Sequence, residues 1–244
     1  MKNAKITIQY DGTEYNGWQI QAAGRTIQGE LTRVLSALNQ APVTVHGAGR
    51  TDSGVHAEGQ VANFMLERDF DPFELLNAVN ANLDRDIRVI DCEFVDESFH
   101  ARRSAKLKTY SYQIWNGDVV SPFCYRYVYH YRTALDLEAM QRAAALLPGT
   151  HDFSAFTVAD SEAEGHVRTL RQLAVERAGP IISITAAADG FLRYMVRAIA
   201  GTLIEVGRGR RAPENVKATL ESRNRSEAGP TAPASGLTLI RVDY

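Results

Sequence analysis

The chain has 244 residues, 45% of them hydrophobic, a formal net charge of −2 and only two cysteines. That is apolar material enough for one large domain or two modest ones, and no apolar run approaches the roughly 18 residues of a membrane span. Cys92 and Cys124 form no CxxC pair, which argues against a disulfide framework or a structural zinc and fits a reducing cytoplasm.

Met1 to Lys5 lead into an alternating strand, not into the apolar stretch of a signal peptide. Residues 4–10 read as that strand, ending in the turn Tyr10-Asp11-Gly12-Thr13. Thr26 can cap a helix carrying Ile27, Leu31, Val34, Leu35 and Leu38 at helical spacing. Residues 42–46 and 60–66 read as strands flanking a glycine-rich loop. Asp71-Pro72-Phe73-Glu74 is a helix start with cap, first-turn proline and third-position acid. Residues 87–95 close the first half as a strand, giving β-α-β-β-α-β.

The second half repeats the order. Residues 106–115 read as a strand, and Asp136 opens a helix through Leu147, stopped by Pro148-Gly149. Residues 167–177 and 181–187 form a hairpin around Ala178-Gly179-Pro180. Residues 191–206 are an amphipathic helix with Met195, Ile199, Leu203 and Val206 on one stripe. A short helix from Pro213 and a strand over 237–244 complete the set. The expected fold is α+β: two ferredoxin-like β-α-β-β-α-β halves, 1–104 and 105–244, joined in a broad, mainly antiparallel sheet with helices on one side and a central cleft.

Charge is unevenly spread. Arg102, Arg103, Lys106, Lys108, Arg126 and Arg132 face a single acid, Asp118, and Arg193, Arg197, Arg208, Arg210 and Arg211 surround only Glu205. Acids collect elsewhere, including Asp160, Glu162 and Glu164. Such clusters on a mildly acidic protein suggest a surface that tracks phosphates. In Lys106-Leu107-Lys108-Thr109-Tyr110-Ser111-Tyr112, period two places two lysines and two tyrosines on one strand face, suited to phosphate contact and base stacking. Tyr110 there could also exchange a proton. Tyr10 to Gln21 interleaves aromatics with turn and amide residues, either as a display for nucleic acid or as a hydrophobic corner under the first helix. Arg193 and Arg197 are spaced as neighbours on a helix face.

The densest chemistry lies in Gly47-Ala48-Gly49-Arg50-Thr51-Asp52-Ser53-Gly54-Val55-His56-Ala57. Its glycines allow a tight turn and close approach to a ligand. The Arg50 guanidinium favours an ionised Asp52, equipping it for nucleophilic attack or general-base work. His46, Asp52, His56 and His100 lack the spacing of a known metal-ligand motif. No nucleophile elbow, P-loop or dinucleotide fingerprint occurs. The site therefore reads as free of metal and cofactor, with Asp52 at its centre.

The segment Gly49 to Ala57 resembles the signature of the tRNA pseudouridine synthase A family. The resemblance continues through Tyr10-Asp11-Gly12-Thr13, Gly17-Trp18-Gln19, Thr26-Ile27-Gln28, Phe99-His100-Ala101-Arg102, Lys108-Thr109-Tyr110, His151 to Phe156, Arg168-Thr169, Phe191 to Arg197 and Ala232 to Leu237. It implies a homodimer with a positively charged RNA cleft, isomerising uridine to pseudouridine in the tRNA anticodon stem-loop around positions 38, 39 and 40. It carries Asp52 over as nucleophile, Arg50 as its ion-pair partner, Tyr110 as the residue against the target base, and Arg197 as the arginine near the catalytic aspartate. Lys108 and Arg102 are further expected tRNA contacts. Such an isomerisation has no redox change and no second acceptor, so no cofactor is expected. The residues leave open whether Asp52 attacks C6, attacks C1′ or takes a 2′ proton. Two competing readings are a non-catalytic RNA-binding module and a small-substrate hydrolase using Asp52 and His56, the latter releasing free uracil.

Overall fold

The computed structural model describes residues 1–158 and 165–244; the acidic trio Asp160, Glu162 and Glu164 lies outside the described residues. The fold is mixed α+β, with ten strands and five α-helices among the described residues. The chain divides into two compact units, Met1–Lys106 with Leu239–Tyr244, and Leu107–Thr238.

In the first unit the elements run β1 (Lys2–Tyr10), α1 (Ile27–Asn39), β2 (His46–Gly47), β3 (His56–Leu66), α2 (Pro72–Asn82) and β4 (Ile87–Val95). β1 lies between β4 and β3, antiparallel to both, with Ile6 opposite Ala62 and Cys92. Alternation sorts β1: Ala4, Ile6, Ile8 and Tyr10 are buried while Gln9 is exposed. They share the core with Leu31, Leu35, Phe64, Leu75 and Val79. Thr26 caps α1 as expected, its hydroxyl accepting from Gly29 N–H at 3.2 Å. Asp71 and Glu74 form the reciprocal capping box of α2, a contribution of about 1 kcal/mol. The strand expected over 42–46 shrinks to His46–Gly47, because Val43 N–H is taken by the Ser36 hydroxyl at 2.9 Å instead of a strand neighbour.

In the second unit come β5 (Leu107–Trp115), β6 (Tyr129–His130), α3 (Leu137–Ala144), β7 (Gly149–Asp152), β8 (Val167–Ala178), β9 (Ile181–Ala188), α4 (Met195–Gly207) and α5 (Asn215–Ser222). The order β5-β9-β8-β7 makes its sheet, with β6 parallel to β5. The hairpin β8–β9 turns at Gly179, whose φ of +58° suits glycine. Ile114, Ile182, Ile184, Met140, Ile199 and Leu203 form the core here. The final strand, β10 (Leu237–Asp243), runs beside β3. It comes so close that a Cβ on Gly59 would lie 2.4 Å from Ile240 O. Val242 and Tyr244 pack against Ala48, Val61 and Ala101, and the Tyr244 hydroxyl donates to Ala101 O at 2.9 Å. These contacts explain why Leu239–Tyr244 belongs to the first unit.

Candidate active site

Asp52 sits on the loop between β2 and β3, and several main-chain groups around it are engaged. Ala48 N–H donates to Val61 O at 2.8 Å, and Trp18 N–H donates to Thr51 O at 3.0 Å. The fully buried Gln60 amide donates to Gly49 O at 3.0 Å. The Tyr10 hydroxyl lies 2.8 Å from the Thr51 hydroxyl. Beyond Asp52, the Ser53 hydroxyl and Gly54 N–H both donate to Tyr15 O, at 3.1 and 3.3 Å. Val55 N–H closes the turn onto Asp52 O at 3.1 Å. At about 1 kcal/mol net for each such bond, the loop is held in one conformation. Burial pushes the Tyr10 phenol up to about 12, against the opposing pull of its hydrogen bonds to Thr51 and Gln60, so it stays protonated and serves as a strut. Asp52 itself is half-buried and Arg50 exposed.

The N-terminal loop supplies the floor. A Cβ on Gly12 would meet Val55 O at 2.0 Å, and one on Gly17, where φ is +86°, would meet Thr51 O at 2.5 Å. Backbone therefore lies directly on backbone, which only glycine permits. Tyr15 and Trp18 are 1% and 2% exposed. The Tyr15 hydroxyl donates to Asp86 at 2.7 Å, and Arg25 stacks 4.9 Å from its ring. The Trp18 indole packs where a Cβ on Gly47 would stand. These aromatics form the hydrophobic corner, not a display for bases. His56 is buried too: its Nδ1 accepts from Gly12 N–H at 3.1 Å and lies 3.2 Å from Asp11. A histidine so committed braces the two loops, which removes the support for a hydrolase built on Asp52 and His56.

In the second unit, Tyr110 is 6% exposed and meets Phe191 edge-on at 5.1 Å. Tyr112 is fully buried, its hydroxyl donating to Pro233 O at 2.9 Å, and burial raises its ionisation far above the usual range. Lys106 precedes the strand. The expected open face of lysines and tyrosines is thus corrected: Thr109 to Tyr112 are all buried, so both faces of β5 are covered there. Lys108 remains half-buried. The helix expected from residue 191 starts at Met195, because Tyr194 is left-handed at φ +63°. Arg193 consequently precedes the helix and is exposed, while Arg197 lies in its first turn, half-buried, its Nε donating to Ala232 O at 2.8 Å.

The cation clusters separate into residues tied into the fold and residues exposed to solvent. Arg208 pairs with Glu205 at 3.0 Å and Arg211 donates to the Thr219 hydroxyl at 2.8 Å, so these support the fold. Arg102, Arg103, Arg126, Arg132 and Arg210 are exposed. His100 stacks 4.9 Å from His46, and burial, helped by Arg103 and His46, lowers its affinity for a proton. Sequence reasoning missed Gln60, Thr51 and Tyr10 as the struts of the aspartate loop. It also missed Tyr194, since nothing local in the sequence marks a left-handed tyrosine.

The sequence pattern of one family, described as tRNA pseudouridine synthase, matches residues 6–102 and 143–244. The chain belongs to the tRNA pseudouridine synthase family. Proteins named tRNA pseudouridine synthase A resemble it end to end. That of Moorella thermoacetica is 47% identical over 242 residues, covering 98% of both chains. That of Acetivibrio thermocellus is 45% identical over 244 residues, covering all of both, and that of Methylobacterium nodulans 44% identical over 245, covering 100% of this chain and 96% of the relative. The synthase is therefore an isomerase acting on tRNA. Asp52, Arg50, Arg102 and Arg197 fall inside the matched spans, whereas Lys108 and Tyr110 fall between them. No helix among the described residues is long and apolar enough to cross a membrane, and among them no three of His, Cys, Asp and Glu gather as a metal site.

Proposed function

We propose that this synthase isomerises uridine in the tRNA anticodon stem-loop, around positions 38, 39 and 40, with Asp52 as the nucleophile. The observation that carries this reading is the restraint on the aspartate loop: Thr51, Ser53 and Gly54, the neighbours of Asp52, are each hydrogen-bonded to the N-terminal loop. A carboxylate held this way meets its target without reorganising. In the reaction the bond from C1′ to N1 breaks, the uracil turns, and C5 bonds to C1′. The C5 proton is lost and N1 takes one up, so atoms balance with no redox partner and no cofactor.

Arg50 orients Asp52 and keeps it ionised. Tyr110, fixed by Phe191, lies against the target base and helps remove the C5 proton. Arg197, Lys108 and Arg102 contact the tRNA. A stem uridine must first flip out at a cost of a few kcal/mol, which phosphate contacts offset. We read each unit as a ferredoxin-like repeat, the enzyme as a homodimer and its compartment as the cytoplasm. The test is tritium release from a tRNA transcript labelled at uridine C5, wild type beside Asp52→Asn. The variant should bind tRNA normally and release no tritium, and carbodiimide mapping should place the wild-type product in the anticodon arm. An Asp52→Asn enzyme keeping roughly a tenth of the rate, a loss of only about 1.4 kcal/mol, removes Asp52 from the nucleophile's role.

A further inference from the structure

Two buried amides shape the turn that carries His100. Asn3 and Asn63 are 2% and 5% exposed, and burying a polar side chain is costly unless it is bonded. The Asn3 amide donates to Asp96 O and Phe99 O, both at 3.0 Å, and that of Asn63 to Phe99 O at 3.3 Å. Asn63 Oδ1 accepts from Ala101 N–H at 2.9 Å. His100 is thus gripped on both flanks, and its own N–H and C=O are taken by Ser104, at 3.1 and 2.9 Å. Across the β2–β3 pair His46 lies opposite Asn63, and its ring stacks 4.9 Å from that of His100. Ala101 packs with Ala48 and Val61. Ala48 stands four residues before Asp52, so at most about 14 Å of chain separates this anchor from the aspartate.

The groups this turn presents are unspent. Arg102 and Arg103 are exposed, and neither side chain makes a hydrogen bond or ion pair among the described residues. Arg25, Arg33, Arg208, Arg223 and Arg241, by contrast, all lean on carboxylates. His100 Nδ1 accepts from Arg102 N–H at 3.2 Å, which leaves the proton of the neutral ring on Nε2. That Nε2–H has no partner among the described residues, in a ring only half-buried. Burial foremost, with help from Arg103 and His46, lowers the ring's affinity for a further proton. Near neutral pH it therefore offers a hydrogen bond without a charge. Two guanidinium groups and a fixed neutral donor on one braced turn are the equipment of a phosphate site.

We infer that His100 Nε2 and the guanidinium groups of Arg102 and Arg103 hold one stretch of tRNA backbone beside the Asp52 loop, with His46 as the stacking support of the imidazole. This rests on the reading of Arg102 as a tRNA contact. The test uses the full chain and a tRNA transcript, with KM and kcat from tritium release and Kd across a salt series. His100→Gln keeps an N–H donor at the reach of Nε2 but has nothing in the place of Nδ1. His100→Asn does the reverse, with an amide oxygen near the place of Nδ1 and nothing at that of Nε2. A phosphate contact requires His100→Asn to raise KM about tenfold, one charge-assisted hydrogen bond's worth. His100→Gln should stay within about threefold of wild type, and kcat should hold within about twofold in both. Because the lost donor is uncharged, His100→Asn should leave the slope of log Kd against log salt unchanged, whereas Arg103→Ala should lower it by about 1. A normal KM in His100→Asn overturns the proposal; if His100→Gln is then the impaired variant, the histidine only caps its turn. An unchanged salt slope in Arg103→Ala overturns it too. Normal binding by Arg102→Ala defeats the reading of Arg102 itself, and this inference with it.

Discussion

Replacing Gly17 by alanine pushes on the aspartate loop from beneath. The added Cβ would stand 2.5 Å from Thr51 O, 2.9 Å from the Asp52 carbonyl carbon and 3.0 Å from Ser53 N. Carbon contacts are comfortable only from about 3.5 Å, so the main chain at Thr51–Ser53 must retreat by roughly 0.5–1 Å. Misplacing a reacting group by that distance costs on the order of 10²-fold in rate, or about 2.7 kcal/mol of activation free energy. The left-handed φ of +86° adds a separate penalty to folding, roughly 1–2 kcal/mol. Gly179→Ala isolates that second cost, because Gly179 also has a positive φ, +58°, but open space where its Cβ would be. Both variants should lose a few degrees of Tm, while tritium release at 25 °C should fall about 100-fold only in Gly17→Ala. Turnover in Gly17→Ala within threefold of the Gly179→Ala rate would refute the claim that the N-terminal loop sets the position of Asp52.

Binding of tRNA should weaken steeply with salt: the basic surface proposed above, at four or five phosphate contacts, predicts a slope of log Kd against log salt near 4, and a slope below about 1 in filter binding rules such a surface out. Asp71→Ala removes an acceptor for Phe73 N–H at 2.9 Å and half of the α2 capping box. It should cost about 1 kcal/mol, seen as about 2–4 °C of Tm, with turnover unchanged; a loss of activity in the folded variant would contradict this. Above pH 10 stability should decline. Tyr10 is neutral in the fold up to about 12 but ionises near the ordinary tyrosine value of 10.0 once unfolded, so its contribution is whole below pH 10 and is lost as pH climbs toward 12. Urea midpoints from pH 9 to 11 should fall less in Tyr10→Phe, by up to about 1.4 kcal/mol per pH unit. Equal slopes in the two proteins would mean that Tyr10 is not held neutral.

Local rules recovered the parts of the chain that local chemistry decides. Asp71-Pro72-Phe73-Glu74 does cap α2, Thr26 does cap α1, and the β8–β9 turn does fall at Gly179. The Gly49–Ala57 segment is legible for the same reason: glycines, an arginine and an aspartate at close spacing have few uses other than a constrained carboxylate loop. Where tertiary contact decides, residue order fell silent. Period-two reasoning put Tyr110 and Tyr112 on a wet face because it presumes a strand with one face open, and β5 is covered on both. For Tyr15 and Trp18 residue order left a base display and a buried corner equally open, and contacts from the start of α1 and from Asp86 decide for the corner. The two-residue strands β2 and β6 and the edge strand β7 are too short to leave a periodic trace. A tyrosine at φ +63° likewise defeats a helix start drawn from amphipathic spacing alone.

The return of Leu239–Tyr244 to the first unit bears on the order in which the enzyme comes into being. Chains are made from the N-terminus, and domains that close early can fold while synthesis continues. Here the packing partners Val242 and Tyr244, and the strand that fits against Gly59, are made only after Thr238, once the whole second unit has been translated. The unit that carries Asp52 therefore stays unfinished through most of translation. A nascent chain carries the Asp52 loop without the strand that completes its unit, and that strand arrives only after the second unit has been supplied.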